Sequence, residues 1–425
     1  MNKFLKLAIS FLFTFFISSV EANMITDEAQ RLYQDHQANV YQIQVVDKAT
    51  GKKSAIGSGF RISAQGHIAT NFHVVSLAVN KPKSYRVEFV REDNTVGPLE
   101  ILHIDVVHDL AVVKSHEASN QFMTLAGVSL SKGTRIFSMG NPHDLGMTIV
   151  EGTYNGWMKN SFYKKILFSG SINPGMSGGP ALNHAGEVIG INVATAGDQL
   201  SFLVPVEYLK ALYAKVVENP FGISGGWKAD IEKQLVENQD DYMKRVMESV
   251  WDNMTIGDAI VPGKISKAFK CWGDSKDIRE NLYSHSYMDC ATDDQLYLSP
   301  TLQTGQIHYR YNWLISKGLN AIRFYNLYEL YFSNPRKFGN AAKYDVTNFV
   351  CQNDFVSIDG KDWKATLCVR NYKKYTSLYD INLSMASVHA KDRGFIVDVV
   401  AMGLTKSNAM QFIQKFMKAI QWIKP

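Results

Sequence analysis

The residues with the clearest capacity for chemistry in this 425-residue chain sit in three short segments far apart in sequence. One is Asn173-Pro174-Gly175-Met176-Ser177-Gly178-Gly179-Pro180. A serine hydroxyl is a poor nucleophile at its own pKa, so it needs an adjacent base and donors for the oxyanion that it creates. The glycines suit that need. Gly175 lets the backbone turn its N–H toward the same point as the N–H of Ser177, while Gly178 and Gly179 leave the hydroxyl uncrowded. A glycine-rich hairpin turn would explain the glycines alone, but not the other two segments. In Ile68-Ala69-Thr70-Asn71-Phe72-His73-Val74-Val75 an apolar strand runs into a loop or short helical turn bearing His73. Its imidazole can take a serine proton and return it to a leaving group. In His108-Asp109-Leu110-Ala111-Val112-Val113 a carboxylate opens an apolar strand. Burial there is tolerable if Asp109 accepts a hydrogen bond from the histidine and stabilises the imidazolium. Asp105 is the rival carboxylate. It ranks lower because Asp109 abuts the apolar run and a turn or cap role suits Asp105. His73, Asp109 and Ser177 as a catalytic triad, with the N–H groups of Gly175 and Ser177 as an oxyanion hole, make acyl transfer that needs no metal or cofactor.

The elements that would hold these residues are short strands. Val40 to Val46, Gly59 to Ile62, His67 to Thr70, Tyr85 to Val90, Leu99 to Val106 and Leu110 to Lys114 form one set. Arg135 to Met139, Met147 to Tyr154, Ile166 to Ser169, Gly179 to Leu182, Glu187 to Val193 and Leu200 to Val204 form a second. Many short strands punctuated by Gly, Pro, Asn and Asp predict an all-β architecture, and two sets in tandem predict two barrels. A short helix is expected from a Thr26 cap to about His36, and a closing helix from Pro205 to Tyr213. Asn219-Pro220-Phe221-Gly222-Ile223-Ser224-Gly225-Gly226 is the strongest breaker cluster, which places a linker over 219–227. Beyond it, Ile231, Leu235, Tyr242, Val246 and Val250 recur at helical spacing. Strands are expected at Gln306–Tyr311, Asp345–Val350, Trp363–Val369, Ile381–Val388 and Gly394–Ala401, with a last helix over 407–423. Residues 228–425 thus read as an α+β unit, whose aromatics are expected to pack a core rather than to form a peptide- or glycan-binding surface.

Taken in the order His, Asp, Ser, the three segments resemble trypsin-like serine proteases, and specifically the Deg/HtrA branch. TNFHVV, HDLAVVK, SMGNPHDLGMTIVEG and INPGMSGGPALNHAGEVIGINVAT carry the resemblance, which runs from about Asn39 to Leu209. It implies a double β-barrel over 23–218, with His73 and Asp109 from the first barrel and Ser177 from the second. It implies hydrolysis of peptide bonds in polypeptide substrates, unfolded or misfolded ones included, and admits a homo-oligomer. By distance before Ser177, Ser171, Ile172 and Asn173 resemble the wall and base of the specificity pocket, with Phe202 on the strand opposite. No Asp or Glu lies among them, so small or medium aliphatic side chains are the expected substrates. Met176 stands where digestive relatives carry an aspartate that pairs with a new N-terminus, and methionine cannot make that pair. No PDZ domain is recognised. A protein-binding or chaperone-like envelope factor with latent proteolysis is the competing function.

Composition bounds these readings. The chain is 46% hydrophobic and 20% charged with a net charge of +5, too mild to argue for nucleic acid. Lys3 and Lys6 precede an apolar run from Leu7 to Val20, and Val20-Glu21-Ala22 supplies small residues for cleavage, so residues 1–22 read as a signal peptide. No other segment is apolar and long enough to span a bilayer, and the protein is expected to be exported, to the periplasm or beyond. Cys271, Cys290, Cys351 and Cys368 lack metal-ligand spacing, and His285, His308 and His389 are isolated. In an oxidising compartment the cysteines suggest two disulfides. Of three connectivities, Cys271 with Cys290 and Cys351 with Cys368 joins the nearest partners.

Overall fold

Runs such as Val40-Tyr41-Gln42-Ile43-Gln44-Val45-Val46 have side chains that fit a curved, half-covered sheet, and twelve of them close into two antiparallel six-stranded barrels. The computed structural model describes residues 20–423, apart from 128–129, 196, 198, 224–225, 279, 281, 334–340 and 389–390. A helix α1 (Val20–His36) precedes the first barrel. That barrel comprises β1 (Val40–Asp47), β2 (Lys53–Arg61), β3 (His67–Thr70), β4 (Tyr85–Val90), β5 (Val96–Asp105) and β6 (Leu110–Lys114), in the order β1-β2-β3-β6-β5-β4. Between β3 and β4 lies α2 (Phe72–Asn80). The second barrel comprises β7 (Arg135–Gly140), β8 (Thr148–Trp157), β9 (Ile166–Phe168), β10 (Pro180–Leu182), β11 (Val188–Thr195) and β12 (Ser201–Pro205), in the order β10-β11-β12-β9-β8-β7. The expected double barrel is therefore present. The helix α3 (Val206–Glu218) follows directly, with Pro205 at its cap position.

Two local expectations change. α1 runs through Thr26 rather than starting there, because helical backbone is already in place upstream and no cap is needed. Of the loop and the short helical turn expected to bear His73, the structure has the helical form, lengthened to nine residues. The signal-peptide reading falls almost wholly outside the described residues. Among the described residues no helix is long and apolar enough to cross a membrane.

The remaining chain is an α+β unit, as expected. After α4 (Trp227–Glu248) come β13 (Asn253–Ile256), β14 (Ala259–Pro262), β15 (Phe269–Ile278), β16 (Tyr283–Thr292), β17 (Leu296–Ser299), β18 (Leu302–Thr304) and β19 (Ile307–Ser316). Then follow α5 (Ala321–Phe332), β20 (Val350–Ile358), β21 (Lys361–Asn371), β22 (Tyr379–Ser387), β23 (Arg393–Leu404), α6 (Lys406–Lys418) and β24 (Gln421–Trp422). Seven strands form one antiparallel sheet in the order β15-β16-β19-β23-β22-β21-β20. Tyr242 and Val246 of α4 and Phe412 and Phe416 of α6 cover one face, meeting Tyr309, Tyr311 and Phe395. Phe324 of α5 packs on the other, against Leu314 and Ile396. The alternation along β19 thus feeds both layers, and the aromatics Tyr309, Tyr311 and Phe324 are fully buried core.

The strand expected at Asp345–Val350 is a correction: the strand begins only at Val350. Val346 is instead buried with first-barrel residues, and Asp345 accepts a hydrogen bond from Thr301 Oγ1 at 2.8 Å, so the apolar signal there came from packing of a turn. The disulfides Cys271–Cys290 and Cys351–Cys368 pair as expected. Both join residues directly opposite each other, on β15–β16 and β20–β21. The core is not divided at 219–227. Tyr41, Phe72, Val75 and Val79 of the first barrel share one buried cluster with Ile231 and Leu235 of α4 and with Leu296, Leu298 and Tyr372.

Candidate active site

His73 stands in the first turn of α2, where β3 ends, and Asp109 stands in the turn between β5 and β6. β3 and β6 are neighbouring strands, with Thr70 opposite Ala111, so their ends bring the two side chains together. Asp109 adopts φ +56°, a left-handed conformation that Asp tolerates better than most residues. In that conformation both ends of the residue face the histidine segment. Its Oδ2 lies 2.6 Å from His73 Nδ1, and its Oδ1 accepts the His73 N–H at 2.8 Å. Its carbonyl accepts Asn71 Nδ2 at 2.8 Å and the Phe72 N–H at 3.2 Å. The carboxylate therefore fixes the imidazole with its Nδ1 protonated, leaving Nε2 as the base. Burial pulls the His73 pKa down, but the charge of Asp109 and its hydrogen bond outweigh it, and the net shift is upward. Asp105 takes the turn role instead, with Oδ1 accepting the N–H groups of Val107 and His108 and Oδ2 2.7 Å from His108 Nδ1.

Ser177 comes from the second barrel, in the loop that leads into β10. Its hydroxyl donates to the Val193 carbonyl at 3.3 Å, and among the described residues it makes no hydrogen bond to His73. In uncomplexed sites of this kind the nucleophile–base contact is often loose and tightens on binding. Ahead of it, Asn173-Pro174-Gly175-Met176 is a β-turn closed by Met176 N–H to Asn173 O at 3.0 Å, with Gly175 at φ +98°. Proline second and a positive-φ glycine third mark a type II turn, which sets the direction of the peptide between them. The Pro174 carbonyl points away to the His143 N–H at 2.7 Å, so the Gly175 N–H points the other way. Among the described residues neither the Gly175 nor the Ser177 N–H has an acceptor. Two free donors beside a serine hydroxyl can receive a developing oxyanion.

Met176 of the motif, and Ser58, Asn192 and Asp144, which the motifs did not single out, brace this loop. Met176 is fully buried in the second-barrel core with Ile136, Phe168 and Leu203, and anchors the loop by packing. Ser58 of β2 ties the barrels together: its N–H donates to Ser177 O at 2.7 Å and its Oγ to Gly175 O at 2.7 Å. Asn192 of β11, fully buried, donates to Met139 O at 3.0 Å and Met176 O at 3.2 Å. A lone amide inside Ile189-Gly190-Ile191-Asn192-Val193 is the signal that could have found it. Asp144 joins Lys53 Nζ at 2.6 Å and Gln42 Nε2 at 2.5 Å, linking the loop that holds His143 to the first barrel.

The proposed pocket residues separate. Ser171 and Asn173 are exposed, whereas Ile172 is buried in the second-barrel core. From β12, Ser201 bonds this segment, its Oγ accepting the Ile172 N–H at 3.2 Å and donating to Gly170 O at 2.8 Å, and Leu203 shares the core of Ile172. Phe202 points to the other side of the strand, into a cavity of about 170 Å³ with Asp109, Tyr208 and Tyr297. Among the described residues no group of side chains could hold a metal ion.

Two barrels with a serine, a histidine–aspartate pair and free N–H donors at their junction define a trypsin-like peptidase domain, and residues 57–191 match that family. Among curated proteins the chain is similar to Do-like and HTRA serine proteases. It is 29% identical over 232 residues to the chloroplastic Protease Do-like 1 of Arabidopsis thaliana, covering 48% of this chain and 51% of that protein. It is 32% identical over 172 residues to serine protease HTRA1 of Xenopus tropicalis, covering 38% and 36%. The chain thus spans about half or less of the length of these curated relatives. Among solved structures, a serine endoprotease from Yersinia pestis aligns with a TM-score of 0.40 at 22% identity, over 45% of this chain and 68% of that one.

Proposed function

We propose that the protein is an exported serine endopeptidase that hydrolyses peptide bonds through an acyl-enzyme, with residues 23–218 as the peptidase unit. The observation that carries this reading is the two-point hold of Asp109 on His73 next to a serine flanked by two free N–H donors. His73 Nε2 takes the Ser177 proton as Oγ attacks the scissile carbonyl, and the N–H groups of Gly175 and Ser177 receive the oxyanion. The imidazolium, held by Asp109, then protonates the leaving amine; water repeats the sequence on the ester, regenerating Ser177. No carboxylate stands at Ser171, Ile172, Asn173 or Ser201, which favours small or medium aliphatic side chains before the scissile bond. Extended, unfolded polypeptides are the substrates that a cleft of this kind admits. The apolar run from Leu7 to Val20 behind Lys3 and Lys6, and the two disulfides, are what support export. A fluorophosphonate probe is expected to label the wild-type chain and not Ser177→Ala. Labelling that survives that substitution would remove the assignment.

A further inference from the structure

One hairpin of the C-terminal unit reaches both barrels at the triad. Asp294, only 2% exposed, accepts Ser161 Oγ at 2.7 Å and the Phe162 N–H at 2.6 Å, and pairs with Lys165 Nζ at 2.9 Å. All three belong to the connection between β8 and β9 of the second barrel. Immediately after it, β17 lies along α2 of the first barrel. Asn80 Nδ2 donates to Leu298 O at 3.1 Å, and Leu296 and Leu298 are buried beside Phe72, Val75 and Val79. Between those two leucines, Tyr297 faces the triad. Its ring centroid is 6.0 Å from that of His73 at an interplanar angle of 74°. Its hydroxyl lies 3.5 Å from Ser76 Oγ, which itself donates to the His73 carbonyl at 2.9 Å. Burial raises the Tyr297 pKa, and the charge of Asp109 raises it further, so the phenol lies within the field of the carboxylate.

We propose that Tyr297 is a positioning residue of the peptidase site, supplied by the C-terminal unit, whose ring keeps the His73 imidazole turned toward Asp109. The inference rests on the peptidase reading above. The His73 side chain is 29% exposed, so one side of the ring is open to water, and rotation into another staggered well would break the Nδ1–Asp109 bond. The Tyr297 ring stands edge-to-face against the imidazole, a contact that rotation of His73 away from Asp109 would disturb. Asp294 fixes the arm that carries it to the β8–β9 connection of the second barrel, so the same segment is held by both barrels. The C-terminal unit is then a part of the working site and not an appended module.

The test uses full-length protein with Tyr297→Phe, Tyr297→Leu and Tyr297→Ala. An aromatic pair of this kind is expected to support about three- to tenfold of turnover. Tyr297→Leu and Tyr297→Ala should lower kcat by that factor with KM unchanged, and Tyr297→Phe should restore it. The downfield proton resonance of His73 Nδ1–H should be present in wild type and Tyr297→Phe and be broadened by exchange in Tyr297→Ala. Tyr297→Leu keeps the apolar filling should Tyr297→Ala fail to fold. Wild-type turnover and an unchanged resonance in the leucine variant would overturn the proposal, as would a change confined to KM or a phenylalanine variant as impaired as leucine. A wild-type chain without Ser177-dependent labelling would fail the peptidase reading instead, and the resonance would then decide the role of Tyr297 by itself.

Discussion

Gly175→Ala tests the oxyanion turn with the smallest possible change. At φ +98° an alanine is strained whatever space surrounds it, at a cost of about 1–3 kcal/mol. Space is also lacking: a Cβ at Gly175 would lie 2.4 Å from the Asn141 carbonyl oxygen and 3.0 Å from the His143 nitrogen. Both neighbours are backbone atoms, so the turn must yield. The nearest relief is a flip of the Pro174–Gly175 peptide toward a type I turn, which breaks the 2.7 Å bond from His143 N–H to Pro174 O and swings the residue 175 N–H out of the site. Losing one donor of an oxyanion pair costs about 2.7–4 kcal/mol of transition-state stabilisation, a fall of about 10²–10³ in kcat. Because the donor meets the oxyanion and not the ground-state carbonyl, KM should change little. The assay is steady-state hydrolysis of a peptide taken from a library screen, with circular dichroism to show that the variant is folded. A folded Gly175→Ala with kcat within about threefold of wild type would refute the assignment of this N–H to the oxyanion hole.

Two further outcomes follow from the neighbouring groups. Since His73 acts only when neutral and its pKa is raised, the acidic limb of wild-type kcat/KM should lie above pH 6.5; Asp109→Asn removes both raising causes, leaves burial acting alone, and should move the limb below 6.5 while lowering kcat by about 10⁴. The Asp144–Lys53 pair is almost half exposed on both sides, so Asp144→Asn should leave the melting temperature nearly unchanged, as expected for a pair worth about 0–1 kcal/mol. It should nonetheless lower kcat about threefold by loosening His143 against the oxyanion turn, read from steady-state turnover of the variant near neutral pH. The hydrogen bonds from Lys53 and Gln42 hold the Asp144 carboxyl below its ordinary range, so its stabilising charge persists as pH falls until that lowered value is reached.

The barrels were legible because their strands are short, β-branched and aromatic apolar runs, buried almost continuously, with glycines where the chain must turn. The pairing of His73 with Asp109 was legible because the histidine and the aspartate each stand in a distinctive flank, and Ser177 remains the proposed nucleophile. The side of β12 that each residue faces was not legible: with a side-chain period of two, Phe202 lines the cavity with Asp109 and Tyr297 while its neighbour Ser201 meets Ile172. Met176 could be read only as the absence of an ion pair; its positive role, filling the second barrel, depends on Phe168 and Leu203 closing around it. In the C-terminal unit the polar run Gly273-Asp274-Ser275-Lys276-Asp277 hid β15, because an edge strand is half solvated and loses the apolar pattern. Tyr297 carried no signal at all, since its meaning lies in a contact with a helix from the far end of the chain.

The two disulfides acquire a purpose from where they sit. The seven-stranded sheet has two free edges, β15 and β20, and each edge strand is riveted to its inner neighbour by a bond between directly opposed residues. An edge strand is the first part of a sheet to peel, and a peeled strand is an extended polypeptide. To a peptidase every other copy is a potential cutter of any strand that it lets go. Crosslinking both margins shortens the length of chain that fraying can offer, so the oxidised sheet denies its own kind a substrate.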